Sequence, residues 1–222
     1  PLFTIQGYIL TLVEGGAIRD KKVRDKYLKR AAKGVDRIIS IVKDLDLITQ
    51  FESGIKTIDR SEFNICDLID NVFDLLEFES EKNNISLKLD NNNNSLIYVN
   101  ADQERILQVL TNLIVNSIKY GSDNGYTKVI VEDYKDEKVI IRVIDNGEGI
   151  EQEHLPRLFE RFYRIDKNRS RKKGGSGLGL SIVKHIIEAH QEQIFVESKI
   201  GVGTEFSFTL QKPKTSSSKI DI

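Results

Sequence analysis

Residues 174–180 are the part of this chain whose composition most directly suggests chemistry. Four of the first six are glycine, so their backbone N–H groups are open to close around an anion. The apolar pattern that begins at Ser181 predicts a helix, whose N-terminal dipole adds positive potential at the same place. The segment lacks the Gly-Lys-Ser/Thr ending of a Walker loop, and no strand leads straight into it. By itself it therefore predicts either a phosphate-binding loop of another class or a flexible linker.

Two amides and an ammonium group share one face of a second predicted element. Asn112, Asn116 and Lys119 are spaced four and three residues apart in an amphipathic helix predicted over residues 101–120. An amide oxygen can ligate Mg²⁺, and a lysine can balance a phosphate. The stripe indicates a polyphosphate site, with an ordinary solvated helix face as the alternative.

A third cluster, residues 145–150, stands at the end of a predicted strand. The carboxylate of Asp145 can accept a hydrogen bond from an exocyclic amine, and Gly147 and Gly149 let a planar ring approach the backbone. The cluster indicates a site for a flat heterocycle, with a simple strand-ending turn as the alternative.

The fourth cluster, residues 158–164, mixes aromatic and basic side chains. We expect Phe159 and Phe162 to anchor this segment to the core, and Arg161 and Arg164 to reach a phosphate. Ordinary helix packing is the alternative.

The elements that must position these clusters follow a helical segment at the start of the chain. Apolar side chains recur at helical spacing over residues 1–13, residues 14–16 interrupt the pattern, and a heptad seam follows. The members of that seam are Leu28, Ala32, Val35, Ile39, Val42 and Leu45. An antiparallel helical hairpin has too narrow a core to be stable alone, so we expect it to pair with a second copy into a four-helix bundle. Packing of the hairpin on its own domain is the alternative.

The remainder of the chain, after a break at residues 52–54, mixes helices and strands. Strands are predicted over residues 55–63, 85–89, 97–99, 129–133, 139–144, 194–197 and 205–210, and helices over residues 65–81, 101–120 and 181–190. Asn64 is predicted to cap the first of these helices. Strands joined mainly by hairpins predict an α+β fold, an α/β sandwich with a mixed sheet and helices on one face. The expected domains are residues 1–53 and 54–212, with a disordered tail over 213–222.

Composition limits the classes of function. Lys and Arg number 33 and Asp and Glu number 34, so the net charge of −1 gives no global field that favours nucleic acid. The lone cysteine, Cys66, permits no internal disulfide, predicts a reducing compartment and is expected to be buried. No segment approaches the length of a membrane span or resembles a signal peptide, and a chain that opens on Pro1 is expected to be a piece of a longer protein.

In this order and spacing, the clusters resemble the catalytic domain of bacterial two-component sensor histidine kinases. That domain belongs to the GHKL ATPase superfamily, which includes Hsp90, DNA gyrase and MutL. Residues 112–120 are similar to the N box of the family, 145–150 to its G1 box, 158–164 to its F box and 174–180 to its G2 box. Residues 201–204 resemble the last glycine motif, and residues 1–8 resemble the segment after the phosphoacceptor histidine of the dimerisation hairpin.

The resemblance implies a role for each matched residue. Asp145 would bind the adenine amino group, Asn116 would hold Mg²⁺ with Asn112 beside it, and Thr204 would support the adenine pocket. Of the others, Lys119 and Tyr120 would contact phosphate or the ring edge, and Tyr163 and Arg164 would lie against the nucleotide from the lid side. The loop glycines Gly175, Gly177 and Gly179 would wrap the phosphates. The implied ATP-binding set is Asn112, Asn116, Lys119, Tyr120, Asp145, Gly147, Gly149, Ile150, Tyr163, Arg164, Gly175, Ser176, Gly177, Leu178, Gly179, Leu180 and Thr204.

The chain departs from the family pattern in two respects. The phosphoacceptor histidine would stand before Pro1, so the resemblance identifies no certain catalytic residue within the chain. His154, His185 and His190 lie elsewhere and are expected to have surface or packing roles. Gln191 and Glu192 stand where relatives often carry a glycine pair, which leaves the turn there open.

The resemblance implies an ATP-dependent protein-histidine kinase that passes its phosphate to an aspartate of a response regulator receiver domain. A clamp-type ATPase of the same superfamily is the alternative. Clamp ATPases place a glutamate general base one turn before Asn116, where this chain has Asn112. A non-catalytic dimerisation module is a third possibility, which the intact nucleotide motifs disfavour.

The resemblance also implies partners and location. ATP and Mg²⁺ are the expected substrate and cofactor, and a second copy of the chain and a receiver domain are the expected partners, with no nucleic acid. The chain would be the cytoplasmic part of a sensor that reaches the membrane only through segments upstream.

Overall fold

The computed structural model of the 222-residue chain describes residues 2–14, 19–54, 57–91, 96–135, 137–165 and 175–214. The chain divides into two compact units, Pro1–Gln50 and Phe51–Ile222. Within the described residues, no helix combines the length and the apolarity that crossing a bilayer requires. Residues 215–222, most of the predicted tail, lie outside the described residues.

The first unit is a helical hairpin of α1 (Leu2–Val13) and α2 (Lys21–Glu52), which confirms the predicted pair of helices. The two helices approach closely where the side chain of Ile5 lies over Gly34, since a Cβ at Gly34 would fall 2.5 Å from Cγ1 of Ile5. Most of the heptad seam is not covered within the described part of the chain, as Leu28, Val35, Ile39 and Val42 are 45–57% exposed. The hairpin therefore presents an apolar stripe to its surroundings.

The second unit is an α+β sandwich, as predicted. Its elements in chain order are β1 (Ser61–Asn64), α3 (Ile65–Lys82), β2 (Ser86–Asn91), β3 (Tyr98–Ala101), α4 (Gln103–Tyr120), β4 (Tyr126–Tyr134), β5 (Lys138–Asp145), a 3₁₀ helix (Gln152–Arg157), α5 (Gly179–Ala189), β6 (Ile194–Lys199) and β7 (Gly203–Gln211). Five strands form a mixed sheet in the order β2-β4-β5-β7-β6, in which only β2 and β4 run parallel. Strands β1 and β3 form a separate antiparallel pair.

Capping and hydrophobic periodicity explain the helices of this unit. The Asn64 side chain accepts a hydrogen bond from the Cys66 N–H at the start of α3, and Asp102 caps α4 in the same way through the Arg105 N–H. Helix α4 packs between α3 and α5 and against β5, and buries its apolar face completely at Ile106 and Leu110. The face of α4 next to α5 is the one that carries the predicted polar stripe.

One predicted element is wrong. The pattern predicts a strand over residues 55–63, but residues 57–60 form no strand, and the strand of this region is β1. A strand can extend only as far as its partner, and β3 offers four residues to pair with β1. Before β1 the chain is held differently: the guanidinium of Arg60 donates to the carbonyl oxygens of Asn100 (3.1 Å) and His190 (2.6 Å).

Candidate functional site

Asp145 is the last residue of β5 and the most constrained polar group of the site. Its position is set by the sheet, because it pairs with Thr127 on β4 and Thr204 on β7. Its Oδ1 accepts hydrogen bonds from the backbone N–H groups of Gly147 (2.8 Å) and Thr204 (3.2 Å), while Oδ2 has no partner among the described residues. Burial raises the pKa of Asp145, and the two backbone hydrogen bonds oppose that rise. One oxygen is thus fixed and the other is available to a donor.

Glycines around Asp145 allow backbone segments to approach more closely than any side chain would permit. Gly149 has φ +75°, and a Cβ there would fall 2.2 Å from the carbonyl oxygen of Lys199. Gly203 has φ +136°, and a Cβ there would fall 2.0 Å from the carbonyl oxygen of Asp145. Both conformations are strained for any other residue, so these two glycines are required by the local geometry.

Ser198 joins the glycine-rich segment after β5 to the β6–β7 hairpin, and sequence reasoning missed it. Its Oγ donates to the carbonyl oxygen of Gly203 (2.9 Å) and accepts from the Ile150 N–H (2.8 Å). The Oγ1 of Thr204 lies 2.9 Å from the same hydroxyl. The signal that could have found Ser198 is the hairpin register, in which it stands directly opposite Thr204.

Asn146 ties the C-terminal end of α4 to the same corner. Its carbonyl oxygen accepts from the Ser122 hydroxyl (2.8 Å) and its Oδ1 accepts from the Tyr126 N–H (2.8 Å). Gly147 lies against the end of α4, since a Cβ there would fall 2.4 Å from the carbonyl oxygen of Tyr120. The predicted contact residues at this helix end are therefore held next to the segment that carries Asp145.

The two predicted amides of α4 lie beside the start of α5. Both Asn112 and Asn116 are half-buried, and a Cβ at Gly179 would fall 3.1 Å from Oδ1 of Asn112. Neither amide forms a hydrogen bond with the described part of the chain. Amide oxygens of this kind are suitable Mg²⁺ ligands, so Asn116, with Asn112 beside it, has the donor chemistry that the metal requires.

The glycine loop is held by a few contacts to the segment of Phe162 and Arg164. The Phe162 N–H donates to the Gly177 carbonyl oxygen (2.9 Å), and Arg164 donates through Nη1 to the Gly175 carbonyl oxygen (3.0 Å). The Nη2 of Arg164 is buried and has no hydrogen-bond partner among the described residues. A buried guanidinium N–H is stabilised when it gains an acceptor, so this group could donate to an anionic ligand.

Helix α5 begins inside the glycine motif, two residues earlier than predicted. Ser176 Oγ accepts from the Leu178 N–H (3.2 Å), and the side chain of Leu178 is fully buried. The first helical residues are Gly179 and Leu180, so the free N–H groups of the first turn belong to the loop itself. This arrangement provides an anion-binding helix end next to Asn112 and Asn116.

Two expectations for the fourth cluster are wrong. Phe159 does anchor the segment, because its ring packs edge-on against Phe206 with centroids 6.3 Å apart, but Phe162 is 54% exposed. The backbone of Phe162, at φ +62°, holds the loop instead of its ring. Arg161 forms an ion pair with Glu52, so it is not directed at a phosphate.

Tyr163 and the histidines have identifiable neighbours. The hydroxyl of Tyr163 lies 2.8 Å from Nδ1 of His154, and the guanidinium of Arg157 stacks 4.4 Å from the Tyr163 ring centre. His190 is fully buried: its Nε2 accepts from the Asp102 N–H (3.0 Å), and burial lowers its pKa. His190 is therefore a packing residue, as expected.

Glu192 stands where relatives often carry a glycine, and its carboxylate is buried. Its Oε2 accepts from Lys138 Nζ (2.8 Å) and from the Thr209 hydroxyl (2.5 Å). Gln191 before it adopts φ +61°, the left-handed conformation that a glycine would adopt readily. The turn therefore has the backbone shape that a glycine would give it, and the ion pair between Glu192 and Lys138 holds it in place.

Comparison with known proteins identifies the family. The sequence profile of the histidine kinase-, DNA gyrase B-, and HSP90-like ATPases matches residues 101–214, about half of the chain. The chain belongs to this family. Its matched region includes the Asn112–Asn116 stripe, Asp145, the glycine loop and Thr204, so the family profile covers the site described above.

The chain is similar to several sensor kinases. The sensor histidine kinase WalK of Bacillus subtilis is 34% identical over 211 residues, which are 95% of this chain and 34% of that protein. The solved catalytic domain of histidine kinase ThkA is 34% identical, with a TM-score of 0.61 over 69% of this chain and 96% of that one. ThkA in complex with response regulator protein TrrA is 30% identical, with a TM-score of 0.69, and covers 94% of this chain and 58% of that one. The chain spans about a third of the length of the curated relatives it matches.

Proposed function

We propose that this chain is the ATP-dependent protein-histidine kinase core of a two-component signalling system. It binds Mg-ATP and transfers the γ-phosphate to a histidine upstream of Pro1, from which the phosphate passes to an aspartate of a response regulator. The observation that carries the proposal is the Asp145 carboxylate, with Oδ1 fixed by two backbone N–H groups and Oδ2 left for a donor. The adenine amino group is such a donor, and the glycines beside Asp145 leave the backbone open to a flat ring.

The groups that we assign to the phosphate end supply positive potential, and none of them is a general base. The N-terminus of α5, the ammonium group of Lys119 and the guanidinium of Arg164 act on the charge that develops at the γ-phosphate. The attacking imidazole brings its own lone pair: a nitrogen–phosphorus bond forms as the bond to the β–γ bridging oxygen breaks, and the electron pair remains on ADP. Bound Mg²⁺, held by Asn116 with Asn112 beside it, would neutralise phosphate charge. An amide at position 112 accepts no proton from water, which favours transfer over hydrolysis.

The first unit supports the proposed partners. Its uncovered heptad seam suits a homodimeric four-helix bundle, in which the seams of two hairpins cover each other. Five basic side chains and one carboxylate line a depression on α2, at Lys22, Asp25, Lys26, Lys29, Arg30 and Lys33. This basic face suits an acidic receiver domain, and the complex of ThkA with TrrA is a related assembly. Residues 1–53 are thus assigned to dimerisation and residues 54–212 to nucleotide binding, on the cytoplasmic side of a membrane-anchored sensor where ATP is available.

Calorimetric titration with Mg-ATP tests the binding step. We expect saturable binding by the native chain and a clear loss of affinity in Asp145→Asn. Asp90→Asn is the matched control, because Asp90 pairs with Lys128 at the sheet edge and is half-exposed. Unchanged affinity in Asp145→Asn would remove the adenine assignment.

A phosphorylation assay separates the kinase from the clamp-type ATPase. We expect no acid-labile phosphate on the 222-residue chain after incubation with ATP, because its three histidines lie outside the proposed acceptor position. A chain extended upstream to include a histidine before Pro1 should acquire the label. Steady release of inorganic phosphate with no acid-labile label on the extended chain would favour the clamp ATPase instead.

A further inference from the structure

Helix α3 carries two large apolar side chains that the second unit leaves exposed. Leu75 is 69% exposed and Phe78 is 77% exposed, whereas Ile65, Ile69 and Val72 on the inner face are fully buried. Leu75 and Phe78 are three residues apart, so they are neighbours on the outer surface of the helix. None of the candidate nucleotide-binding residues lies on α3, and the proposed function gives this surface no role.

The same helix is strongly acidic. It carries six carboxylates, Asp67, Asp70, Asp74, Glu77, Glu79 and Glu81, and one lysine, Lys82. None of the six forms an ion pair within the described part of the chain. Burial and the charges of Asp67 and Asp74 raise the pKa of Asp70, so the fold keeps like charges together on this helix against their repulsion.

We propose that the outer face of α3 is a docking surface for a protein partner that presents an apolar pocket bordered by lysine and arginine. The α3 face is defined by Asp67, Asp70, Asp74, Leu75 and Phe78. In such a complex Phe78 and Leu75 enter the pocket, and the carboxylates around them meet the basic border. The proposal is independent of the nucleotide site and extends the function to a second interaction.

Charge excludes other occupants of the α3 face. Nucleic acid and anionic lipid surfaces are repelled by a row of carboxylates. A second copy of the chain that docks through the same face would bring the two acidic rows together, which is unfavourable. A basic-bordered protein surface is the occupant whose charge is complementary.

The face is also rigid before any partner binds. Helix α3 is capped by the Asn64 side chain and packs against α4 and β2. An anchor on a folded helix loses little conformational freedom on docking, in contrast to a disordered segment that must first become ordered. Phe78 and Leu75 are therefore suitable anchors, since large side chains held in place contribute strongly at the centre of interfaces.

A pair of synthetic helical peptides tests the proposal on the whole chain. One peptide has a leucine face bordered by lysines, and its counterpart has the same leucines bordered by glutamates. We expect the lysine peptide to bind, with amide chemical-shift changes on α3, and the glutamate peptide to show no binding. Affinity should fall about tenfold in Leu75→Ser/Phe78→Ser and in Asp70→Asn/Asp74→Asn, and should fall as salt is raised.

Matched measurements make the outcome decisive. Both double variants should keep the Mg-ATP affinity of the native chain, and neither should lower its thermal midpoint, because the substituted side chains lie on the outer face and Asp70→Asn/Asp74→Asn relieves repulsion between like charges. Equal binding of the lysine peptide by the native chain and both variants would overturn the proposal, as would chemical-shift changes confined to the heptad seam. Sedimentation of the native chain and of Leu75→Ser/Phe78→Ser tests whether a second copy of the chain covers this face. A loss of self-association in the variant would show that it does, and would equally overturn the proposal.

Discussion

The two ends of the candidate site are built differently. At the adenine end, Asp145, Gly147, Ser198 and Thr204 are joined by hydrogen bonds of 2.8–3.2 Å that connect three strands. At the phosphate end, the described residues of the glycine loop contact the segment of Phe162 and Arg164, and a buried N–H of Arg164 finds no acceptor among the described residues. One end is therefore held together by its own hydrogen bonds, whereas the other has a buried donor that the described residues leave unsatisfied.

This difference suggests how the site divides recognition from reaction. We propose that the adenine end selects the base with little reorganisation, because its polar groups are already aligned by the sheet. A phosphate end with an unsatisfied donor gains most of its stabilisation only when phosphate arrives. Glycine substitutions at the adenine end should therefore lower the stability of the fold, whereas substitution of Arg164 at the phosphate end should change the discrimination between nucleotides.

The largest effect is expected for Gly149→Ala at the adenine end. A Cβ there meets the Lys199 backbone at 2.2 Å and the residue keeps φ +75°, so we expect a loss of about 3 kcal/mol in unfolding free energy. Gly201→Ala is a matched control with the same φ of +75° but no atom within 4 Å of the Cβ, and should lose about 1 kcal/mol. Denaturant unfolding of both variants gives the comparison, and equal losses would mean that close approach is not what the adenine end requires.

Asp145→Asn should separate binding from stability. Loss of the charged acceptor should weaken both ATP and adenosine by about 1.5–3 kcal/mol, or about ten- to a hundredfold. The stability of the fold should change in the opposite direction and increase in the variant. Burial raises the pKa of Asp145, so the native protein loses stability as the pH rises from the ordinary pKa to the raised one, and the neutral asparagine avoids that loss.

Calorimetry with both ligands and thermal unfolding between pH 3 and 7 check this prediction. The variant should be at least as stable as the native chain at pH 7, and its relative advantage should vanish in acid, where Asp145 is protonated. Binding of adenosine should also fall in the native chain as Asp145 becomes protonated. A variant that is less stable at pH 7 would show that the carboxylate mainly supports the fold.

The sequence predicted most of the adenine end because its constraints are local. The position of Asp145 follows from an apolar strand that ends at this residue, and the need for Gly149 follows from the tight turn after the strand. The cap at Asn64 is also a local pattern, since it depends on residues within the first turn of the helix. The same holds for the helix that carries Asn112 and Asn116, because their shared face follows from their spacing.

The missed features depend on distant partners. Ser198 becomes part of the site only when β6 pairs with β7, and Arg60 replaces a predicted strand because its guanidinium reaches carbonyl groups 40 and 130 residues away. The exposure of Phe162 likewise depends on a backbone bond to Gly177. A hydrophobic pattern records which residues can be buried, but it does not show which backbone group a distant segment will occupy.

At the phosphate end, Arg164→Ala should change nucleotide preference. The buried Nη2 has no acceptor among the described residues, so we expect ATP affinity to fall by about 1.5 kcal/mol, or about tenfold, while adenosine affinity stays unchanged. Arg24→Ala is the control, because Arg24 lies in the first unit and is already paired with Asp25. If adenosine affinity falls as much as ATP affinity, Arg164 supports the whole pocket and the division between the two ends is incorrect.

We expect the smallest change in unfolding free energy for Gly177→Ala, and this change should be confined to the glycine loop. Gly177 has φ +78°, and a Cβ there would fall 2.9 Å from Cα of Phe162, whereas Gly175 has open space around its Cβ. Because Gly177 lies in an irregular segment between helical elements and outside the sheet, strain there can be released by local opening, so the global unfolding free energy should fall by less than about 1 kcal/mol. Hydrogen exchange of the Phe162 amide, which donates to Gly177, should accelerate in Gly177→Ala and stay unchanged in Gly175→Ala. A global loss as large as that of Gly149→Ala would mean that the glycine loop is integrated into the fold as firmly as the adenine end.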